Sequence, residues 1–231
     1  MEHAPGGRRG YVEWLVWRDE ERCVKIAVLG TGRVGGTLGR RWMDAGHEVM
    51  FGTRDPAHPR VAALASETGA RSAAHADAVE GADAIVLAIP WPGVLDICDE
   101  LADRMANKVV IDCVNPLNAT FSGLDLGFTA SAAEEIASRC PRSRVVKAFN
   151  TVSSATMADP SYAGTPATLF HCGDDTDAKR IVADLANAIG FFPVDSGPLA
   201  HARLLEPLAM LYIHLAMNGW GSRCAIQIVR R

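Results

Sequence analysis

The chain reads as an α/β protein with a doubly wound, mostly parallel sheet and a small C-terminal helical segment, and three observations carry that reading. Short β-branched runs alternate with longer stretches of helical spacing along most of the length, the pattern of parallel strands joined by crossover helices. A glycine-rich turn follows the first such run directly and opens a helix. The 231 residues, 48% hydrophobic and 22% charged, suffice for one good core with a small appendage, not for two large domains. Together these observations predict a sheet of the Rossmann type.

Taken in order, residues 1–22 (MEHAPGGRRGYVEWLVWRDEER) are rich in Gly, Arg and Glu, with two tryptophans and no clear period. They read as an N-terminal extension, either a disordered tail or a start site placed upstream of the true one. Strands are expected at 24–29 (VKIAVL), 48–52, 84–89 (AIVLAI), 108–112 (KVVID), 144–149 (RVVKAF), 167–171 and 191–194. Helices are expected between them at 34–45, 59–68, 93–104, 130–139 and 175–189. A longer helix is expected at 200–217, where Leu204, Leu205, Leu208, Leu211, Tyr212 and Leu215 recur at three- and four-residue steps. This divides the chain into the extension, a nucleotide-binding domain at 23–199, and a C-terminal helix and tail at 200–231 that serves as core or dimer segment.

Several function classes are excluded on composition. A formal charge of −4 without a run of like charges is no footprint for nucleic acid. No apolar stretch reaches the roughly 18 residues of a membrane helix, and the N-terminus lacks the apolar core of a signal peptide, so a cytoplasmic protein without membrane contact is expected. Six cysteines (Cys23, Cys98, Cys113, Cys140, Cys172, Cys224) show no Cys-x-x-Cys pair, so neither a metal site nor a disulfide framework is expected.

The chemistry begins at Gly30, Thr31, Gly32, Arg33, Val34 and Gly35, a G-x-G-x-x-G set between strand and helix. Glycines there permit a tight turn and let backbone N–H groups approach a pyrophosphate, at which the following helix points its positive end. At the end of the second strand an acid would accept from the adenosine ribose of NAD. This chain has Thr53 and Arg54 instead, a hydroxyl and a cationic fork suited to the 2′-phosphate of NADP(H). Arg54 pairing with Asp55 on the surface is the alternative. His58 is a candidate third contact.

The strand ends that should line the crevice are apolar and amidic: Ile89, Pro90 and Trp91; Asn115 after Val114; and Asn150, Thr151 and Val152 after Phe149. Such a slot suits a planar ring stacked on nicotinamide. No side chain is assigned as catalytic, because His47, His75, His171, His201 and His214 all read as structural or surface residues. Beyond the strands only a helix and a short apolar tail (CAIQIV, 224–229) are expected, which leaves no all-helical substrate domain.

In these blocks the chain resembles the NADP oxidoreductases that use the deazaflavin coenzyme F420. GTGRVG, GTRDP, AIPW, FTASAAEEIA, VVKAFNTV, CGDD, DSGPLAHARLLE and MNGWG follow the family's order from about Val24 to the C-terminus. The resemblance implies that Thr31, Gly32, Arg33 and Val34 wrap the pyrophosphate and that Thr53 and Arg54 take the 2′-phosphate. It places Ile89, Asn115 and Ser154 at the ribose and nicotinamide. It places Asn150, Thr151, Val152, Gly219 and Trp220 around the second ring. Two departures stand out. The archaeal enzymes carry a lysine where His58 stands, which bears on NADP selectivity, and a His-Thr-Ile-Pro stretch at 150–153, which bears on the second ring. KAFNTVSS is also similar to the NADPH-oxidising domain of the transmembrane ferric reductases, whose acceptor is a flavin.

The expected reaction is direct hydride transfer between nicotinamide C4 and the C5 carbon of a stacked deazaflavin, with the protein supplying distance and stacking. Reduction of free FMN or FAD, or of ferric iron through one, is the alternative. A non-catalytic NADP(H) sensor is a third. The partners expected are these small molecules and a second copy of the chain in a homodimer.

Overall fold

The computed structural model describes residues 23–229, so the extension at 1–22 lies outside the described residues. Strand β1 (Lys25–Leu29) is followed by α1 (Arg33–Asp44), β2 (Glu48–Thr53), α2 (Pro59–Thr68), β3 (Arg71–Ala74), α3 (His75–Glu80), β4 (Ala84–Leu87) and α4 (Gly93–Leu101). Then come β5 (Val109–Asp112), α5 (Ala132–Arg139), β6 (Arg144–Ala148) and α6 (Ser154–Ala158). A hairpin of β7 (Ser161–Tyr162) and β8 (Thr165–Pro166) leads to β9 (Thr168–Gly173), α7 (Thr176–Ala188) and β10 (Phe192–Asp195). A 3-10 turn (Leu199–His201) starts α8 (Ala202–Leu215), which ends in a π-turn (Ala216–Trp220).

Eight strands form one sheet in the order β10-β9-β6-β5-β4-β1-β2-β3. Every neighbouring pair is parallel except β6 with β9. The chain leaves β1 toward β2 and β3, then returns to β4 and continues the other way. This reversal opens a crevice beyond the carboxyl ends of β1 and β4, where doubly wound sheets take their ligands.

The central strands are buried on both faces, which is why they read as continuous apolar runs. Ile26 and Val28 face a core containing Trp42, Phe149 and Phe191, while Ala27 and Leu29 face one containing Val79, Ile97 and Leu101. Phe149 packs edge-on between Trp42 and Phe191, at centroid distances of 5.6 and 5.9 Å. Trp42 Nε1 donates to the Leu185 carbonyl at 3.0 Å, so the indole is satisfied inside the core.

All seven expected strands and six expected helices form, with ends displaced by a few residues. Four elements were not expected: β3, α3, α6 and the hairpin. β3 is Arg-Ser-Ala-Ala at the sheet edge, where half-exposed small residues suffice and no β-branched run marks it. α6 has only five residues, capped by Ser153, whose side chain accepts from Thr156 N–H.

The C-terminal helix behaves as two faces. Ala202, Leu205, Ala209 and Tyr212 are buried against the body, whereas Leu204, Leu211 and Leu215 are 64%, 54% and 40% exposed. The tail then closes back: the Ser222 carbonyl accepts from Ser153 Oγ and Tyr212 OH, and the Ile226 carbonyl from Thr168 N–H. Among the described residues no helix is long and apolar enough to cross a membrane.

Candidate functional site

The three glycines of the first turn do different things. Gly30 has φ +106°, and a Cβ there would lie 2.4 Å from the Ala88 carbonyl oxygen, so only glycine fits where β1 meets the end of β4. A Cβ on Gly35 would fall 1.9 Å from the Gly30 oxygen, so Gly35 seats helix α1 on the turn. At Gly32 nothing lies within 4 Å of the Cβ position, and this residue lines the open crevice. The backbone amides of Thr31, Gly32, Arg33 and Val34 make no hydrogen bond among the described residues, as the first N–H groups of a helix must unless something outside it accepts. No acid stands in the first turn of α1. Free donors, a positive helix end and a glycine open to the crevice make a cradle that fits a pyrophosphate.

Past the end of β2, Arg54 is exposed and makes no ion pair or hydrogen bond with any described side chain. Asp55 is otherwise engaged, its carboxylate accepting from Ala57 N–H at 3.1 Å, so the surface pair that would idle Arg54 is not formed. Thr53 Oγ1 accepts from Asp55 N–H at 3.4 Å and holds this turn. His58 does not line the crevice. It is the N-cap of α2, where Nδ1 accepts from Arg60 N–H at 3.2 Å, and this occupies one of its two ring nitrogens.

The crevice, about 1100 Å³, runs from this corner across the sheet. On the β2 side it is lined by His75, Ile97 and Glu100, and on the β5 side by Ile89, Pro90, Trp91, Val114, Asn115 and Cys113. Burial pushes the Cys113 thiol far above its usual range, which leaves no titrating group among the crevice-lining residues of the β5 side. His75 corrects the sequence reading, which took it as structural or surface: the imidazole is half-buried and lines the crevice. Glu100 was not singled out at all.

Behind Val114, on the β5 side of the crevice, lies an ionic floor. Lys147, fully buried on β6, reaches Asp112 at 2.8 Å and Glu206 of α8 at 2.7 Å, and donates to the Val114 carbonyl. Burial opposes its charge, but the two carboxylates outweigh it and hold the ammonium above its usual range. Burial pushes the Glu206 carboxyl up, against Lys147. Glu206 also accepts from the Ala132 and Ala133 amides at 3.0 and 3.3 Å, and Asp112 from Val114 N–H at 2.8 Å. Asn150 belongs to the same layer: its amide donates to Asn115 Oδ1 and to the Leu205 carbonyl, both at 3.0 Å, while Asn115 donates back to the Asn150 carbonyl at 2.9 Å.

The structure thus gathers Gly30, Thr31, Gly32, Arg33 and Val34 with Thr53, Arg54, Ile89, Pro90, Trp91 and Asn115 around one crevice. Gly35 stands behind the turn. Asn150, Thr151 and Val152 are buried and do not line the crevice, because they follow β6 inside the sheet and Asn150 is tied to Leu205 of α8. Thr151 Oγ1 and Asn150 Oδ1 are buried without a partner. Ser154 begins α6. Gly219 and Trp220 sit in the exposed π-turn, Trp220 71% exposed, away from the crevice lining in this single chain.

Comparison with known proteins gives the following. The family model described as NADP oxidoreductase coenzyme F420-dependent matches residues 25–116. The F420-dependent NADP reductase of Methanothermobacter thermautotrophicus is 31% identical over 221 residues, covering 89% of this chain and 94% of that protein. The metalloreductase STEAP3 of Rattus norvegicus is 34% identical over 189 residues, 81% of this chain, but the match spans only 37% of the length of that relative. A solved structure from Arthrobacter sp. FB24, named provisionally as an F420-dependent NADP reductase, superposes with a TM-score of 0.82 at 32% identity, covering 90% of this chain and all of that one.

Proposed function

The chain belongs to the coenzyme F420-dependent NADP oxidoreductase family and is an NADP-dependent oxidoreductase; from that premise we propose that it transfers a hydride between NADP(H) and a deazaflavin of the F420 type. The observation that carries this reading is the lining of the nicotinamide end. Ile89, Pro90, Trp91, Val114 and Asn115 stand where a carbonyl or imine reductase would need a proton donor. With a nicotinamide and a deazaflavin bound, donor and acceptor carbons both belong to cofactors. The side chains then hold two rings face to face and exclude water. The Gly30 turn and the free Thr31–Val34 amides take the pyrophosphate, and Thr53 and Arg54 take the 2′-phosphate. Asn115, locked by Asn150, helps to wall the nicotinamide side, and the exposed stripe on α8 serves to pair two copies of the chain.

A second reading, reduction of FMN or FAD and through it of ferric iron, is favoured by the likeness to STEAP3 across 81% of the chain. The deciding experiment is NADPH oxidation by purified protein offered a deazaflavin, FMN and FAD in parallel. Turnover with deazaflavin at least tenfold above both flavins supports the proposal. Turnover with flavins alone overturns it.

A further inference from the structure

Three side chains at the β2 corner of the crevice have no partner: Arg54, His75 and Glu100 all line it, and none makes an ion pair or a side-chain hydrogen bond with a described residue. His75 opens α3, directly after the edge strand β3, and its ring lies against the last turn of β2. The Cβ position of Gly52 is 3.4 Å from His75 Cδ2. Arg54 is two residues beyond Gly52, and Glu100 lines the same crevice from α4. Asp96 lines the crevice one turn earlier on α4, and Asp77 on α3 lines a separate cavity with Lys25 and Arg71. From β1 the apolar Leu29 side chain packs on the same Gly52.

We infer that His75 is a specificity-determining residue: it takes up a proton from solvent when a 2′-phosphate docks at Arg54, so the preference for NADP(H) over NAD(H) weakens as pH rises. This rests on the reading that Arg54 receives the 2′-phosphate. In the free protein, burial holds the imidazole below its ordinary value of 6.5, Glu100 pulls it up and Arg54 pushes it further down. A phosphate at Arg54 cancels that last push and adds an attraction of its own, so the imidazolium is favoured in the complex. The imidazolium in turn screens the phosphate from Glu100. NAD(H) brings only a hydroxyl and leaves the balance where it was. By linkage, the proton must strengthen NADP(H) binding by the same factor as NADP(H) strengthens proton binding. The effect falls in the window between the depressed free value and the raised bound value.

The test is calorimetric titration of NADP⁺ and NAD⁺ into wild type and His75→Gln, in two buffers of different ionisation enthalpy, between about pH 6 and pH 8. The second ionisation of the 2′-phosphate, near about 6, acts in the opposite sense in both proteins, so the difference between them is the signal. Expected is proton uptake with NADP⁺ in wild type that His75→Gln lacks, and a loss of roughly fivefold in wild-type selectivity across the range relative to that variant. His75→Asn, a second neutral replacement, should repeat the result. Identical proton uptake in wild type and both variants overturns the inference. Arg54→Ala separates the two claims. If it erases selectivity while His75→Gln titrates like wild type, the inference alone fails; if it keeps selectivity, the Arg54 reading fails and takes the inference with it.

Discussion

At the Gly30 turn the crevice presents free backbone amides and an arginine with no ion pair among the described residues, whereas on its β5 side it presents apolar side chains backed by a buried ionic floor. The first end is open and already shaped: among the described residues Gly32 has empty space where a Cβ would be, and Arg54 has no partner. The second is held from below, by Lys147 between Asp112 and Glu206 and by Asn150 between Asn115 and Leu205. Binding elements can be left unsatisfied at the surface, where water serves them until a ligand arrives. An apolar slot instead has to keep its shape, and here buried charges tie α8 to the strand ends behind it. Substitutions at the floor should therefore act on stability, and those at the turn on binding.

The largest effect tests the floor. Lys147→Met leaves two carboxylates buried without a counter-charge, which should cost about 3–5 kcal/mol and lower the melting temperature by about 10 °C. Burial already pushes the Glu206 carboxyl up, and removing the ammonium that opposes this pushes it further. A group whose folded pKa is raised contributes stability below its unfolded pKa and loses it as pH rises, so the deficit should shrink on acidification. Calorimetry against pH checks both points, and a fall under about 2 °C would show that the floor bears little load.

Next comes the turn. Gly32→Val should leave the melting temperature nearly unchanged, because the new side chain meets no protein atom, yet weaken NADPH binding about a hundredfold, or 2.7 kcal/mol. Gly35→Val should instead fail to fold, since its Cβ would overlap the Gly30 carbonyl. Fluorescence titration with a thermal melt distinguishes the two. If both variants lose stability alike, the turn is packing only and the contrast between the ends collapses. At the corner, Arg54→Ala should cost about tenfold in NADPH affinity, about 1.4 kcal/mol, and leave NADH binding unchanged.

These two ends differ in the same way in how far the sequence reveals them. The turn is legible because Gly30, Gly32 and Gly35 are neighbours in the chain, and their spacing is itself the geometry. Thr53 and Arg54 follow from a strand whose apolar run marks its own end. His75 was hidden because its approach to Arg54 depends on β3 lying beside β2, and Arg-Ser-Ala-Ala carries no strand signal. The floor was hidden for a related reason. Lys147 and Glu206 are brought together only by the packing of α8 across β6, and a lone lysine in VVKAF gives no hint of being fully buried. The chemistry of Asn150 is legible in the sequence but its depth is not: it is buried behind Asn115 rather than lining the crevice.

The smallest expected effect concerns the π-turn after α8. Asn218 Nδ2 donates to the His214 carbonyl at 2.7 Å, and Gly219 and Gly221 take φ of +106° and +68°, the features of a helix stop. Trp220 nonetheless stands 71% exposed beside Met217 at 67%, at the end of the same helix that carries the uncovered Leu204, Leu211 and Leu215. A helix stop explains the glycines but not an indole left in solvent, since Trp is usually buried over most of its surface. If pairing of two copies along α8 brings Trp220 to the acceptor side of a crevice, Trp220→Ala should lower kcat/KM for the acceptor roughly threefold while NADPH affinity stays constant, the mark of a contact made to the second ring alone. Steady-state kinetics with deazaflavin and with FMN, run beside light scattering to read the oligomeric state, makes the measurement. Unchanged parameters for both acceptors in a protein of unchanged mass would remove this segment from the active site and leave the nicotinamide end built entirely from one chain.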